Sequence, residues 1–338
     1  MTPPDHEPPI DLSTSGSARP VRADRRRVQV LALSGGGYRG LYSAHFLHKA
    51  EEHYRLSAGA RFELLVGTSI GGLIAAALAL DTPASVIDDR IARHGPRIFR
   101  KTRVWTRLKQ FAVRPPYSTA ALTDAVIATL GREKAEMSLS AVEKPLAISA
   151  VNFTHGRPEI FRSGGLAGAA ANAVSVLDAV LASAAAPTYF PPRTVGTDAM
   201  IDGGLIANAP ELLGLSEACG HLNYALERVY VMAVGTAARR QGAALSSIGQ
   251  PSTVKWMVRR GLFQAALGAQ EALAVAQCRI LLGDRYYRVD NEPKEGQVAA
   301  IRDLDLTSPE ATATLRSLAV ESWSHHRSRP AFRRYFEE

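Results

Sequence analysis

Cysteine is nearly absent: Cys219 and Cys278 are the only two in 338 residues. Their spacing to each other and to any histidine pair fits neither a disulfide framework nor a structural zinc site, so a reducing compartment is expected. The N-terminus, MTPPDHEPPIDLSTSGSARP, lacks the apolar segment of a secretory signal and is rich in Pro, Ser and Thr, which predicts a disordered leader over residues 1–24 and a cytoplasmic protein. Aromatic residues make up only 7%, and no RNP, zinc-finger or basic-zipper pattern accompanies the net charge of +8. A nucleic acid polymer is therefore not the expected partner, and the positive excess points to an anionic membrane surface. A membrane span is not expected either. The uncharged run Leu64–Leu80 has seventeen residues, short of the roughly twenty a span needs, and four of them are Gly or Ser.

That run, LLVGTSIGGLIAAALAL, is what the chain is organised around. Leu64 to Val66 has the length of a buried strand, and Ile70 to Leu80 has the Ala/Leu composition of a helix. Between them, Gly67-Thr68-Ser69-Ile70-Gly71 must turn sharply, and Gly67 and Gly71 supply the missing Cβ atoms. Ser69 would then sit at the tip beside a helix N-terminus, presented as a nucleophile. With 46% hydrophobic residues, the chain is long enough for one large domain spanning residues 25–338.

An apolar run, Val28 to Leu33, reads as the first strand, and Leu41 to Tyr54 as the first helix. The loop between them, Ser34-Gly35-Gly36-Gly37-Tyr38-Arg39-Gly40, turns backbone N–H groups outward into an anion-binding concavity. Two functions fit it. Gly35, Gly37 and Gly40 satisfy the dinucleotide fingerprint, but that fold needs an acid at the end of the next strand, and Glu63 lies at the wrong end. As an oxyanion hole, the loop would place amides beside a serine one strand away, with Arg39 adding charge or bracing the loop. The serine needs a base. A triad would take Asp202 with His221 or the pair His325 and His326, whereas a dyad would use Asp202 alone. The dyad is favoured, because Asp202 ends a predicted strand, 198–201, and Gly203 and Gly204 let the chain turn close to a ligand.

Residues 97–114, RIFRKTRVWTRLKQFAVR, carry no acid and form a basic insertion near 95–116, suited to an amphipathic helix or lid on anionic lipid. Further strands are expected at 145–151, 159–161, 228–234 and 286–289, with helices at 175–185, within 253–282 and from Ser308 onward. The uncharged segment 163–177 is expected to be a mobile wall of the site, and residues 188–192, TYFPP, an irregular aromatic segment. Histidines 45, 48 and 53 read as surface or core filler.

Four motifs in order, GGGYRG after a strand, GTSIGG after a strand, ASAAAPTYFPP and IDGGLIANAP, make residues 28–320 resemble the patatin-like phospholipase family. The resemblance implies a three-layer α/β/α fold with a mostly parallel central sheet. It also implies a Ser-Asp dyad at Ser69 and Asp202 and an oxyanion hole on the backbone of Gly35, Gly36 and Gly37, with no metal or cofactor. The implied reaction is hydrolysis of fatty acyl esters of phospholipids, at the inner face of the membrane, with the 163–177 wall, Tyr189 and Phe190 lining the acyl chain. Ser34 stands where the family usually has Asp, and Ala209 where a second Asn is common. The GGGYRG form and the lack of a secretion signal are similar to patatin-like effectors of bacterial anti-phage systems, implying a cyclic dinucleotide activator and a candidate homo-oligomer.

Overall fold

Strand β1, Val28–Leu33, is buried at every position, and its alternate side chains face two separate cores. Val28, Val30 and Ala32 pack on one face of the sheet, while Leu31 and Leu33 pack on the other. A strand apolar on both faces has to lie between two helical layers. The computed structural model describes residues 27–100, 117–238 and 261–337. The leader, the basic stretch from residue 101 and the helical expectation over 253–260 lie outside the described residues.

The remaining strands are β2 Leu64–Thr68, β3 Leu146–Asn152, β4 Arg157–Arg162, β5 Arg193–Val195, β6 Asp198–Asp202, β7 Val229–Val234 and β8 Tyr286–Val289. They form one sheet in the order β5-β6-β3-β2-β1-β7-β8, with β4 also on β3. The ladders joining β3, β2, β1, β7 and β8 are parallel, and those involving β4, β5 and β6 are antiparallel.

The longer helices are α1 Gly40–Tyr54, α2 Ile70–Ala79, α3 Ala84–Ile98, α4 Thr119–Leu130, α5 Val176–Ser183, α6 Glu211–Gly220, α7 Gly261–Leu282, α8 Pro309–His326 and α9 Pro330–Glu337. Residues of α1 to α5, α8 and α9 join the core on the Leu31 face, and residues of α6 and α7 join the core on the Val30 face. The layered α/β/α arrangement follows, with helices on both sides of a mostly parallel sheet. Ser308 caps α8 as expected, its Oγ accepting from the Ala311 N–H at 3.1 Å.

One detail of register places the functional residues. β4 runs along one edge of β3 from Ala147 to Asn152, so β2 and β6 share the opposite edge. There Thr68, the last residue of β2, pairs with Ser149, and Asp202, the last residue of β6, pairs with Ala150. The ends of two strands 134 positions apart in the sequence therefore meet on adjacent residues of a single template strand.

Candidate active site

Ser69 stands at the turn from β2 into α2 with φ 55° and ψ −122°, a region few non-glycine residues enter. The turn is tight because its glycines touch backbone. A Cβ on Gly67 would lie 2.2 Å from the Gly71 carbonyl oxygen, and one on Gly71 would lie 2.1 Å from that of Leu33. The expected elbow is therefore present, and both supporting glycines are required by space. The Ser69 N–H donates to Ser183 Oγ at 2.7 Å, while Thr68 Oγ1 lies 2.7 Å from Ser149 Oγ and 2.5 Å from the Ala207 carbonyl oxygen.

The Ser69 side chain lines the same cavity as the Asp202 carboxylate and lies near enough to it to lower its pKa. That carboxylate accepts the Gly204 N–H at 2.6 Å. Burial pushes its pKa from 3.8 up to about 6, against the opposing pull of the Gly204 amide and the Ser69 hydroxyl. The backbone of this segment is fixed by the end of α5: Asp202 N–H donates to the Ala185 carbonyl at 3.0 Å and Gly203 N–H to that of Ser183 at 3.3 Å. Gly203 has no room for a side chain, since a Cβ would sit 2.1 Å from the Ser149 carbonyl oxygen. Ser183 thus holds both segments, the nucleophile through its hydroxyl and the acid through its carbonyl.

The glycine loop closes over this pair, and a Cβ on Gly35 would lie 3.5 Å from Ser69 Cβ. One of its three expected donors is otherwise engaged, because the Gly35 N–H donates to the Asn208 carbonyl at 2.9 Å. The Gly36 and Gly37 amides have no acceptor among the described residues, and both glycines line the same cavity as Ser69 and Asp202. The oxyanion-hole expectation therefore narrows to Gly36 and Gly37. Gly37 needs its φ of +56°, and a Cβ there would meet the Leu304 carbonyl at 2.7 Å. Gly40 abuts Ile70 of the elbow, and Glu63 accepts the Gln29 N–H at the far end of β1. The dinucleotide reading fails on both counts: its third glycine seats the elbow, and the acid is at the wrong end of the sheet.

Arg39 lines the cavity with a buried Nε that has no hydrogen-bond partner among the described residues. Burial lowers its pKa, opposed by Glu271, Asp290 and Asp303 nearby. Away from Ser69 the cavity wall is apolar, with Leu73, Ile91, Phe99, Val126, Tyr189 and Phe190 among its residues. Tyr189 and Phe190 are where the sequence places them. Residues 163–177 contribute no wall. Gly164 and Gly165 instead press on the backbone of Ser140 and Glu143, where a Cβ would come within 2.0 and 1.6 Å.

The triad alternatives do not assemble. His221 pairs with Glu217 at 2.9 Å, His326 hydrogen-bonds Tyr287 at 2.6 Å, and His325 contacts Arg329. His94, which sequence reasoning passed over, lines the cavity but makes no hydrogen bond to Ser69 or Asp202, and burial beside Arg97 and Arg90 lowers its pKa. Among the described residues, His45, His48 and Asp88 are the one grouping with metal-ligand chemistry. The second oxygen of Asp88 is engaged by Arg316 at 3.1 Å, so the cluster ties α1, α3 and α8 together, a role beyond filler.

Residues 31–214 match the family described as "Patatin-like phospholipase". A "cGAMP-activated phospholipase" of Pseudomonas aeruginosa is 34% identical over 85% of this chain and 85% of its own length. One of Vibrio cholerae with the same description is 28% identical over 90% and 94%. A "cUMP-AMP-activated phospholipase" of Escherichia coli is 30% identical over 61% of this chain and 64% of its own.

Proposed function

Because the chain belongs to the patatin-like phospholipase family of lipid-hydrolysing enzymes, we propose that it is a serine acyl hydrolase, cleaving fatty acyl esters of membrane phospholipids through Ser69 and Asp202. The observation that carries this reading is the convergence of the Ser69 side chain and the buried Asp202 carboxylate on one largely apolar cavity, beside two unengaged amides. Ser69 Oγ attacks the ester carbonyl carbon as Asp202 takes its proton, and the Gly36 and Gly37 N–H groups receive the oxyanion, where one such donor contributes about 3–4 kcal/mol. Collapse expels the lysophospholipid alkoxide, which takes the proton from Asp202. Water then gives a proton to Asp202 and attacks the acyl-enzyme, releasing the fatty acid and returning the proton to Ser69. The apolar wall around Tyr189 and Phe190 holds the acyl chain.

The relatives' names support a second element, activation by a cyclic dinucleotide; with it we propose a role in bacterial antiviral defence, the enzyme acting from the cytoplasm at the inner face of the membrane. Two relatives are named for cGAMP and one for cUMP-AMP, so the activating base pair is a property to be measured. The test is hydrolysis of phospholipid vesicles with and without a panel of cyclic dinucleotides, alongside fluorophosphonate labelling of intact protein. Labelling lost in Ser69→Ala and hydrolysis raised by one member of the panel are expected. A protein that takes up no label at position 69 is not a serine hydrolase, and equal hydrolysis across the panel removes the ligand gate.

A further inference from the structure

The two amides proposed to receive the oxyanion can do so only while the glycine loop is held in register with Ser69, and one of the loop's ties leads out to a helix. The Gly35 N–H is bonded to the Asn208 carbonyl at 2.9 Å, and the loop is pressed so closely on Asn208 that a Cβ at Gly35 would lie 2.6 Å from Asn208 Oδ1. Asn208 belongs to no long element; it follows a single helical turn, Gly204–Ala207. Its position is set from α7. The Asn208 N–H donates to Gln270 Oε1 at 3.0 Å, and its Nδ2 donates to Glu271 Oε2 at 3.1 Å. Two neighbouring residues of one helix therefore take both kinds of donor that Asn208 has.

Glu271 is anchored in turn. Its Oε1 accepts from Arg288 Nη2 at 2.6 Å, and the same guanidinium binds Asp290 at 2.8 Å, binds Glu211, and reaches Ser34 Oγ at 3.5 Å. Ser34 immediately precedes the glycines, so the Arg288 cluster touches the loop directly and, through Glu271 and Asn208, indirectly. Among the residues of α7 whose burial is described, 265–282, the buried apolar ones, Ala274, Val275, Cys278 and Leu282, lie in the C-terminal half, while the outer face exposes Leu273 at 60% and Ile280 at 82%. At the level of residues 270 and 271 the helix is tied to the rest of the fold by polar contacts, from Gln270 and Glu271 to Asn208 and from Glu271 to Arg288.

We propose that α7 sets the geometry of the oxyanion loop, with Gln270 and Glu271 as positioning residues that act through Asn208 on Gly35. The inference rests on the hydrolase reading above and deepens it by naming where the site is controlled. Displacing the N-terminal half of α7 frees Asn208 and with it Gly35, loosening Gly36 and Gly37 while leaving the apolar cavity and the Ser69–Asp202 pair in place. Such a change lowers the rate of the chemical step more than the affinity for substrate.

The test uses the full chain with Glu271→Ala, Gln270→Ala and, as a control on the exposed face of the same helix, Leu273→Ala. Hydrogen–deuterium exchange of the peptide covering residues 34–40 reads the loop without requiring turnover. Kinetics on a soluble short-chain ester read the site. Exchange at Gly35 is expected to rise about tenfold or more in Glu271→Ala and Gln270→Ala, with kcat falling about ten- to a hundredfold and KM within about twofold. Leu273→Ala should match the wild type in both. Unchanged loop exchange in both clamp variants overturns the proposal whatever the activity. A joint fall of kcat and thermal midpoint in which cooling restores full kcat also overturns it, because it marks a role in stability alone. Absence of fluorophosphonate labelling of the wild type at Ser69 would instead refute the hydrolase reading, and the exchange result would still decide the clamp.

Discussion

Replacing Asp202 with asparagine should make the protein more stable at neutral and alkaline pH while abolishing its chemistry. The carboxyl is only 6% exposed and its pKa stands at about 6, against 3.8 for an unburied aspartate. Because the folded state holds this proton more tightly than the unfolded chain does, the stabilisation from protonated Asp202 is fully present below about pH 4. It is lost as pH rises through about 6. Each tenfold change in an acid constant is about 1.4 kcal/mol, so two decades amount to about 3 kcal/mol set against the folded state at pH 8. Asparagine keeps the oxygen that accepts the Gly204 N–H and carries no charge at any of these pH values. Urea unfolding of wild type and Asp202→Asn at pH 4.5, 6 and 8 isolates the effect, since every other titrating group contributes equally to both proteins. The variant should lead by about 3 kcal/mol at pH 8, by slightly less at pH 6, and by only about 1 kcal/mol at pH 4.5. A lead that does not depend on pH, or no lead at pH 8, would refute the assignment of a strained buried carboxylate.

The same group predicts that kcat/KM falls about tenfold per pH unit below about pH 6, as the base becomes protonated, and reaches a plateau above pH 7; a pH–rate profile on a neutral ester checks it. Ser69→Gly and Ser69→Ala should both abolish hydrolysis, but only glycine relieves the φ of +55°, so Ser69→Gly should unfold at a higher temperature by an amount equivalent to about 1 kcal/mol. Equal midpoints would mean that the elbow stores no strain. Ser183→Ala leaves the Ser69 N–H without its 2.7 Å acceptor. It should cost about 1–3 kcal/mol in stability and slow fluorophosphonate labelling while leaving the far-ultraviolet circular dichroism unchanged.

That Ser69, Asp202 and the loop glycines meet at one cavity was legible in the sequence for one physical reason: the backbone conformations that bring a hydroxyl, a carboxylate and amides to a common point exclude side chains at the flanking positions. Close approach writes itself as glycine. Strand ends were legible for a related reason, since β1, β2 and β7 are buried on both faces and read as unbroken apolar runs. What escaped was what composition cannot encode. Gly164 and Gly165 occupy an uncharged, small-residue stretch because they pack against backbone carbonyls, and the same composition would suit a cavity wall. Asn208 and Glu271 meet across 63 positions, between a loop and a helix face, with no local pattern to announce the contact. Ser183 lay within a recognised motif, but its joint grip on Ser69 and Gly203 appears only once α5 is laid against the ends of β2 and β6.

The proposed absence of histidine from the catalytic group follows from where Asp202 lies. A solvated aspartate has a pKa near 3.9 and is too weak a base to draw a proton from a serine hydroxyl, which is why triads interpose an imidazole whose pKa lies near 6.5. Burying the carboxylate at the end of β6, with one backbone amide as a hydrogen-bond donor and the serine hydroxyl nearby, lifts it to about 6, within about half a unit of free histidine. Desolvation thus supplies the basicity that a third residue would otherwise bring. The balance is narrow, because each added donor would pull the pKa back down. A variant that places a second hydrogen-bond donor on the carboxylate, such as Ala150→Ser on the strand that pairs with Asp202, tests it if the new hydroxyl reaches Asp202. It should move the acid limb of the pH–rate profile below 6 and lower the plateau rate together. An acid limb that stays near 6 although the Asp202 pKa has moved would show that the proton acceptor is some other group.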